Sequence, residues 1–339
     1  MDLNEMNSTW NSTLTCSINK EFTFLYLPSV YLIVFLVGLL GNGIGLWNLC
    51  TKQKKWNSVN IFVLNLGIAD LLYVITLPFF VCYYRKREVW QFGVIFCRIT
   101  RCLFHVNMYS SISFLTCISF QRYLGIVHPL KNLVKFQSLR YPVLISLLVW
   151  VWVVIQVAPS FFISKNDANL DQCHDSTTNE EESVKMFTIY TGILTFTGFF
   201  IPFLFIVMCY AKVLVVLREN ENIDPVLKRK SITLVGIVII LFIICFFPFY
   251  ILRNFNMFSR VWQFQGMCTP SLKRMYIAYQ VTRGLASMNS AINPLLYFVT
   301  NENLVLTLKK MRLKTFHAFA YLRRNRNLKL TADTENLDL

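Results

Sequence analysis

Asn289-Ser290-Ala291-Ile292-Asn293-Pro294-Leu295-Leu296-Tyr297 closes the last long apolar segment of the chain. Pro294 stands inside that segment. It lacks a backbone N–H and its ring crowds the carbonyl four residues back, so the helix must bend there. Asn289, Asn293 and Tyr297 carry polar groups that lipid cannot satisfy. This face has to turn toward other helices or toward water.

Those other helices are visible upstream. The chain is 55% hydrophobic with a mean hydropathy of +0.48, above the range of soluble domains. A helix crosses a bilayer with about 20 apolar residues. Seven runs reach that length, at 24–51, 59–84, 94–128, 140–163, 186–217, 227–258 and 273–299. The expected fold is an all-α membrane protein, a seven-transmembrane-helix bundle over residues 24–300. Residues 1–23 form a polar N-terminal segment without a cleavable signal pattern. Residues 301–339 form a cytoplasmic part. It opens with a short amphipathic helix that carries Leu304, Leu308, Met311 and Thr315 on one stripe.

Two signals orient the bundle in the plasma membrane. Asn7-Ser8-Thr9 and Asn11-Ser12-Thr13 are glycosylation sequons, which places the N-terminus outside. With that orientation twenty of the 33 Lys and Arg lie on the cytoplasmic side, as the positive-inside rule requires. The net charge of +15 is then mostly a membrane-surface signature. It is divided among loops between spans, which argues against a nucleic-acid polymer as partner. The other thirteen basic residues lie at or just below the outer surface, where they focus a positive potential and attract anions.

Helical spacing gathers part of that charge. Arg101, His105 and Tyr109 fall on one stripe, Phe246, Phe249, Tyr250 and Arg253 on a second, and Tyr276, Gln280 and Arg283 on a third. An arginine within a span costs about 2.5–3.5 kcal/mol. Three that converge call for an anion, and guanidinium binds phosphate or carboxylate bidentately. The aromatic residues offer faces on which a base can stack. Asp70 is a carboxylate at mid-membrane depth, costly unless paired or hydrated. Arg101 and Arg122 are 21 residues apart, about 31 Å of helix, so they bracket the bilayer. Ten cysteines are present, and Cys16, Cys97, Cys173 and Cys268 lie near the oxidising surface. Four cysteines allow three pairings.

Several functions are disfavoured. The histidines are His105, His128, His174 and His317, with no metal-ligand spacing, so no enzyme constellation emerges. A transporter of organic anions remains as an alternative from another class, but it would show internal repeats or paired broken helices. No lysine lies between Arg274 and Lys309 to carry a Schiff base, and no acid lies in the 94–128 span to bind an amine.

The segments also resemble a known family. Gly41-Asn42, Leu66-Gly67-Ile68-Ala69-Asp70, Cys97, Arg122-Tyr123, Trp150, Pro202 with Tyr210, Cys245 with Pro248, and the Asn293-Pro294-Leu295-Leu296-Tyr297 string follow in the order seen in class A G-protein-coupled receptors. Four further strings resemble the purinergic nucleotide receptors. They are Phe104-His105-Val106-Asn107-Met108-Tyr109, Tyr123 through Lys131, Leu227-Lys228-Arg229-Lys230-Ser231, and Tyr279 through Ser287, the last being similar to the ADP receptor. The resemblance implies an agonist such as ADP, ATP or UDP, bound by Arg101, His105, Tyr109, Tyr250, Arg253, Tyr276, Gln280 and Arg283. It implies a polar cavity at Asn42, Asp70, Ser111, Asn289 and Asn293 that can hold sodium, and no other cofactor. Switching and G-protein coupling would fall to Arg122, Tyr123, Leu130, Tyr210, Phe246, Pro248 and Tyr297. The implied disulfides are Cys97–Cys173 and Cys16–Cys268. The implied partners are a heterotrimeric G protein, Gq with calcium release, and arrestin. Arrestin recruitment should be weak, because the distal tail offers only Thr331 and Thr334.

Two departures stand out. Gln121 replaces the acid that usually precedes the switch arginine, and Phe246 replaces the usual tryptophan. The arginine set with His105 also resembles receptors for small dicarboxylates such as succinate and oxoglutarate. Gly284 favours nucleotides, since those relatives have proline there. Tyr250 points the other way, since many nucleotide receptors have histidine.

Overall fold

The computed structural model describes residues 20–53, 56–128, 138–163, 173, 181–220, 223–264, 267 and 270–300. Among these, every regular element is helical. Among the described residues six helices are long and apolar enough to cross a membrane: α1 Glu21–Lys52, α2 Ser58–Arg85, α3 Val94–Val127, α4 Arg140–Phe161, α5 Glu181–Glu219 and α6 Pro225–Gln263. The seventh crossing, α7, comes in three pieces, Pro270–Ser287, Asn289–Ile292 and Leu295–Thr300. It is less apolar than the others because it carries Lys273, Arg274 and Arg283 at one end and two asparagines at the other. Asn7, Asn11, Cys16, Leu130, Cys268 and the expected amphipathic helix lie outside the described residues.

Proline sets the bends. Beyond Pro294 the backbone tightens, with Leu296 N–H on Asn293 O (2.9 Å) and Tyr297 N–H on Pro294 O (3.1 Å). In α2 the helix breaks at Ile75–Thr76, two residues before Pro78, and Thr76 Oγ1 caps Tyr73 O at 2.6 Å. α5 and α6 each widen into a π-helical stretch, Phe196–Phe200 before Pro202 and Leu241–Phe246 before Pro248. The extra residue per turn makes room for the proline ring and rotates the following side chains.

α3 runs through the middle of the bundle, with Asn107 to Ile112 almost wholly buried. α4 sits on the rim, with Leu144, Leu147, Leu148, Val151, Val154 and Ile155 exposed. Lipid, not water, is the solvent for that face. Trp150 Nε1 donates to Asn65 Oδ1 at 2.9 Å and ties α4 to α2. At one end of the bundle Cys97 and Cys173 form a disulfide. Nearby, Arg87 and Glu88 adopt left-handed backbone (φ 54° and 68°), unusual for residues with a Cβ. Glu88 is buried and accepts Lys20 Nζ at 2.7 Å, and Arg87 lies over Phe24. The start of α1 is thereby clipped to the turn after α2.

Candidate ligand-binding site

At the Cys97 end, α3, α5, α6 and α7 enclose a cavity. Arg101, Phe104 and His105 of α3, Phe187 of α5, Arg253, Asn256, Met257 and Arg260 of α6, and Tyr279 and Arg283 of α7 form its walls. Four of the residues singled out from the sequence meet there: Arg101, His105, Arg253 and Arg283. Arg260 brings a fourth guanidinium. It lies seven residues beyond Arg253, two turns along the same face, so the spacing that found Arg253 also pointed to Arg260 and to Asn256. The free space is about 60 Å³, well below the 300 Å³ or more of ligand pockets.

Two of the arginines are fixed by neutral acceptors. Arg283, buried, donates Nε to Tyr31 Oη (3.2 Å), Nη1 to Gln280 Oε1 (3.1 Å) and Nη2 to Tyr84 Oη. Arg253, also buried, donates Nη1 to Tyr109 Oη at 3.2 Å. Phenols and amides orient a guanidinium without cancelling its charge. Tyr109 reaches this position because α5 has glycine opposite it. A Cβ on Gly198 would lie 2.7 Å from the Tyr109 ring. Tyr250 is buried beneath the cavity, stacked on Phe199 with ring centroids 4.7 Å apart, and 6.1 Å from the Tyr109 ring. His105 packs against Phe104 and Tyr109, and its Nδ1 has no partner among the described residues. Tyr276 is buried on α7 outside the cavity walls, where Tyr279 stands instead. Gly284 admits Tyr26 of α1, whose hydroxyl donates to Val281 O at 2.9 Å and would lie 2.6 Å from an added Cβ.

A polar thread leads inward from Arg283. Ser287 Oγ lies 3.1 Å from Arg283 O and 2.7 Å from Tyr73 Oη. Beyond it lies Asp70, fully buried. Asn107 Nδ2 donates to Oδ1 at 2.8 Å, and Asn293 Nδ2 reaches both oxygens at 3.2 and 2.9 Å. Ser290 Oγ and Asn289 Nδ2 turn to Asn107 Oδ1 (3.2 and 3.4 Å). Asn42 Nδ2 bridges Gly38 O and Ser290 O, both at 2.9 Å. Asn107 was missed in the sequence, which pointed to Ser111 one turn further on. Ser111 Oγ is buried with no partner among the described residues, and so is Asn293 Oδ1. Asp70 meets no cation among the described residues. A buried carboxylate beside the unpartnered Asn293 Oδ1 suits a hard cation, so these residues fit a sodium ion.

The family "7 transmembrane receptor (rhodopsin family)" matches residues 41–297. Purinoceptor 1 of Gallus gallus is 40% identical over 86% of this chain and 81% of its own length. The Mus musculus protein of the same name is 39% identical over 86% and 79%. Purinoceptor 4 of Xenopus laevis is 36% identical over 88% of this chain and 56% of its own length. This chain belongs to the rhodopsin family of seven-transmembrane receptors, in its purinoceptor branch. It is a multi-pass receptor of the plasma membrane and not an enzyme.

At the other end of the receptor a cleft of about 330 Å³ opens among Trp56, Asn57, Gln121, Arg122, Leu139 and Leu227. Arg122 makes no hydrogen bond or ion pair with any described residue, and its Nε is shut away from solvent. Tyr210 of α5, buried, is close enough to Arg122 to interact electrostatically. Tyr123 Oη and His128 Nε2 are 3.2 Å apart. Phe246 is buried in the π stretch of α6, edge-on to Phe242 at 5.2 Å, with Pro248 just beyond. Tyr297, past the bend of α7, lays its ring against Gly45 and its hydroxyl against Gly67.

Proposed function

We propose that this receptor binds an extracellular nucleoside di- or triphosphate, such as ADP, ATP or UDP, in the arginine cavity. In this reading the N-terminus and the Cys97 end face outward, and the Arg122 cleft faces the cytoplasm. The observation that carries the reading is the convergence of Arg101, Arg253, Arg260 and Arg283 on one cavity. Phosphate oxygens accept bidentate guanidinium bonds, and the names of the similar purinoceptors point the same way. Phe104 and Tyr279 offer stacking faces for the base. His105 Nδ1, without a protein partner among the described residues, is available to the ligand.

Bound phosphate would draw Arg253 away from Tyr109 and load α6 above its π stretch and Pro248. That widened turn is the natural pivot for the Arg122 end of α6. The Asp70 cluster would hold sodium through oxygens of Asp70, Ser111 and Asn293, and the ion would supply a counter-charge to the Asp70 carboxylate. The cytoplasmic cleft takes a heterotrimeric G protein, Gq with calcium release. Arrestin engages weakly through Thr331 and Thr334, and Cys16 pairs with Cys268.

The test is calcium release in transfected cells exposed to ADP, ATP, UDP, UTP, succinate and oxoglutarate. A response to one or more nucleotides, lost in Arg253→Ala at equal surface expression, is expected. A response to succinate or oxoglutarate alone would move the assignment to a dicarboxylate.

A further inference from the structure

α5 and α6 also meet on their lipid-facing side, turned away from the arginine cavity. They leave a groove of about 330 Å³ between Gly192, Phe196 and Phe200 on one helix and Ile251, Phe255 and Phe258 on the other. That volume lies in the range of ligand sites. Gly192 keeps the groove open, since a Cβ there meets nothing within 4 Å. Phe196, Phe255 and Phe258 stand at its rim, 61%, 49% and 50% exposed.

Two polar side chains, Thr195 and Asn254, belong to this wall. Asn254 donates its amide protons to Thr195 Oγ1 and to Tyr250 O, both at 2.8 Å. The Thr195 hydroxyl is itself committed to Thr191 O at 2.8 Å. The Asn254 carbonyl oxygen is left with no donor among the described residues, in a wall that faces hydrocarbon. An acceptor in that setting is costly, and hydrocarbon offers it no donor. A leucine would pack there without the cost, so the amide implies a hydrogen-bond donor that arrives through the bilayer.

We propose that this groove is a sterol site. The sterol hydroxyl donates to Asn254 Oδ1, the flat ring system lies between Phe196 and Ile251, and the tail runs past Phe200. Three features favour a sterol over other lipids. The group that must be satisfied is a single acceptor, and a sterol carries a single hydroxyl donor. A phosphatidylcholine headgroup brings only acceptors. A rigid planar body also loses less conformational freedom in a narrow aromatic slot than a flexible acyl chain does. The depth agrees as well. Asn254 is four residues inside the outer limit of the 227–258 apolar run, about 6 Å, which suits the headgroup-proximal hydroxyl of an outer-leaflet sterol. The leaflet rests on the orientation proposed above; the groove itself does not depend on the identity of the nucleotide.

The experiment is photolabelling of the full-length receptor in cell membranes with a diazirine-bearing cholesterol analogue, followed by peptide mapping. Labelling is expected within 192–200 and 251–258, and excess cholesterol should compete it away. Asn254→Leu and an analogue with inverted hydroxyl stereochemistry should each lower labelling by roughly threefold to tenfold, the worth of one hydrogen bond. Ile251→Trp, which fills the inner half of the groove, should abolish labelling at unchanged surface delivery, and Ile251→Phe serves if the larger residue impairs folding. Labelling confined to other segments would overturn the proposal. So would labelling insensitive to these variants, or equal labelling by a phosphatidylcholine analogue, which would mark ordinary boundary lipid.

Discussion

Arg283 and Arg122 sit near opposite ends of the bundle, and the protein holds them in opposite ways. Arg283 directs Nε, Nη1 and Nη2 to Tyr31, Gln280 and Tyr84. Arg122 has no hydrogen bond or ion pair among the described residues, and Gln121 stands where an acid would serve it. One guanidinium is set in place by acceptors from three helices. The other can change partners. A receptor benefits from both arrangements: a preorganised site loses less ordering entropy when the ligand arrives, and a loosely held switch needs little energy to move. Asp70 lies further along the polar thread from Arg283, and the amides of Asn107 and Asn293 meet its carboxylate.

The sharpest way to break the contrast is to remove the held arginine. Arg283→Ala is expected to abolish the agonist response at normal surface expression. Truncating one partner of a desolvated charge pair costs about 2–5 kcal/mol, so potency should fall at least about thirtyfold. Arg283→Lys should fail nearly as badly, because an ammonium cannot reach three acceptors in one plane. Unchanged potency in a calcium assay would remove Arg283 from the site.

The phenols that hold Arg283 come next. Tyr31→Phe with Tyr84→Phe keeps both rings and deletes both acceptors. If their role is to orient the guanidinium, potency should drop by about tenfold, from hydrogen bonds worth roughly 0.5–1.5 kcal/mol each. Maximal response should be retained. A rise in potency would show instead that the phenols compete with the ligand for Arg283.

Asp70 tests the middle of the thread. Replacing sodium by a bulky organic cation should raise agonist affinity about fivefold, the low end of ordinary allosteric coupling. Asp70→Asn should erase that sensitivity, because the amide keeps hydrogen bonds with Asn107 or Asn293 but not the charge. Agonist binding that ignores sodium in the parent would leave the cluster as a structural network only.

The contrast also marks what the sequence could disclose. Seven crossings were legible because hydrocarbon demands long apolar helices, and the bend of α7 was legible because Pro294 allows no straight helix. Arg101, His105, Arg253 and Arg283 were legible because charge in a span is costly and helical spacing assigns a face. Tyr31 and Tyr84 were not. They are 252 and 199 residues from Arg283 in sequence, on helices whose apolar runs show no polar stripe. A phenol in such a run reads as core until the fold brings a donor to it. Asn107 and Ser111 show a finer limit. Both lie on α3 one turn apart, and only packing decides that Asn107 meets Asp70 while the Ser111 hydroxyl stays without a partner among the described residues.

The smallest expected effect lies at the loosely held end. Gln121→Asp would place a carboxylate beside Arg122, in a cleft that is open to water and therefore screened. Partly exposed pairs of this kind are worth about 0.2–1 kcal/mol. Ligand-free signalling should therefore fall by only about two- to fivefold, with agonist potency shifted by a similar factor in the same direction. Basal second-messenger level normalised to surface receptor is the readout. Gln121→Asn, which shortens the side chain without adding charge, should leave it unchanged. If both variants lower basal signalling equally, the restraint comes from packing in the cleft and not from charge. If neither does, Arg122 is held by something other than its neighbour, and the contrast with Arg283 loses its meaning at this end.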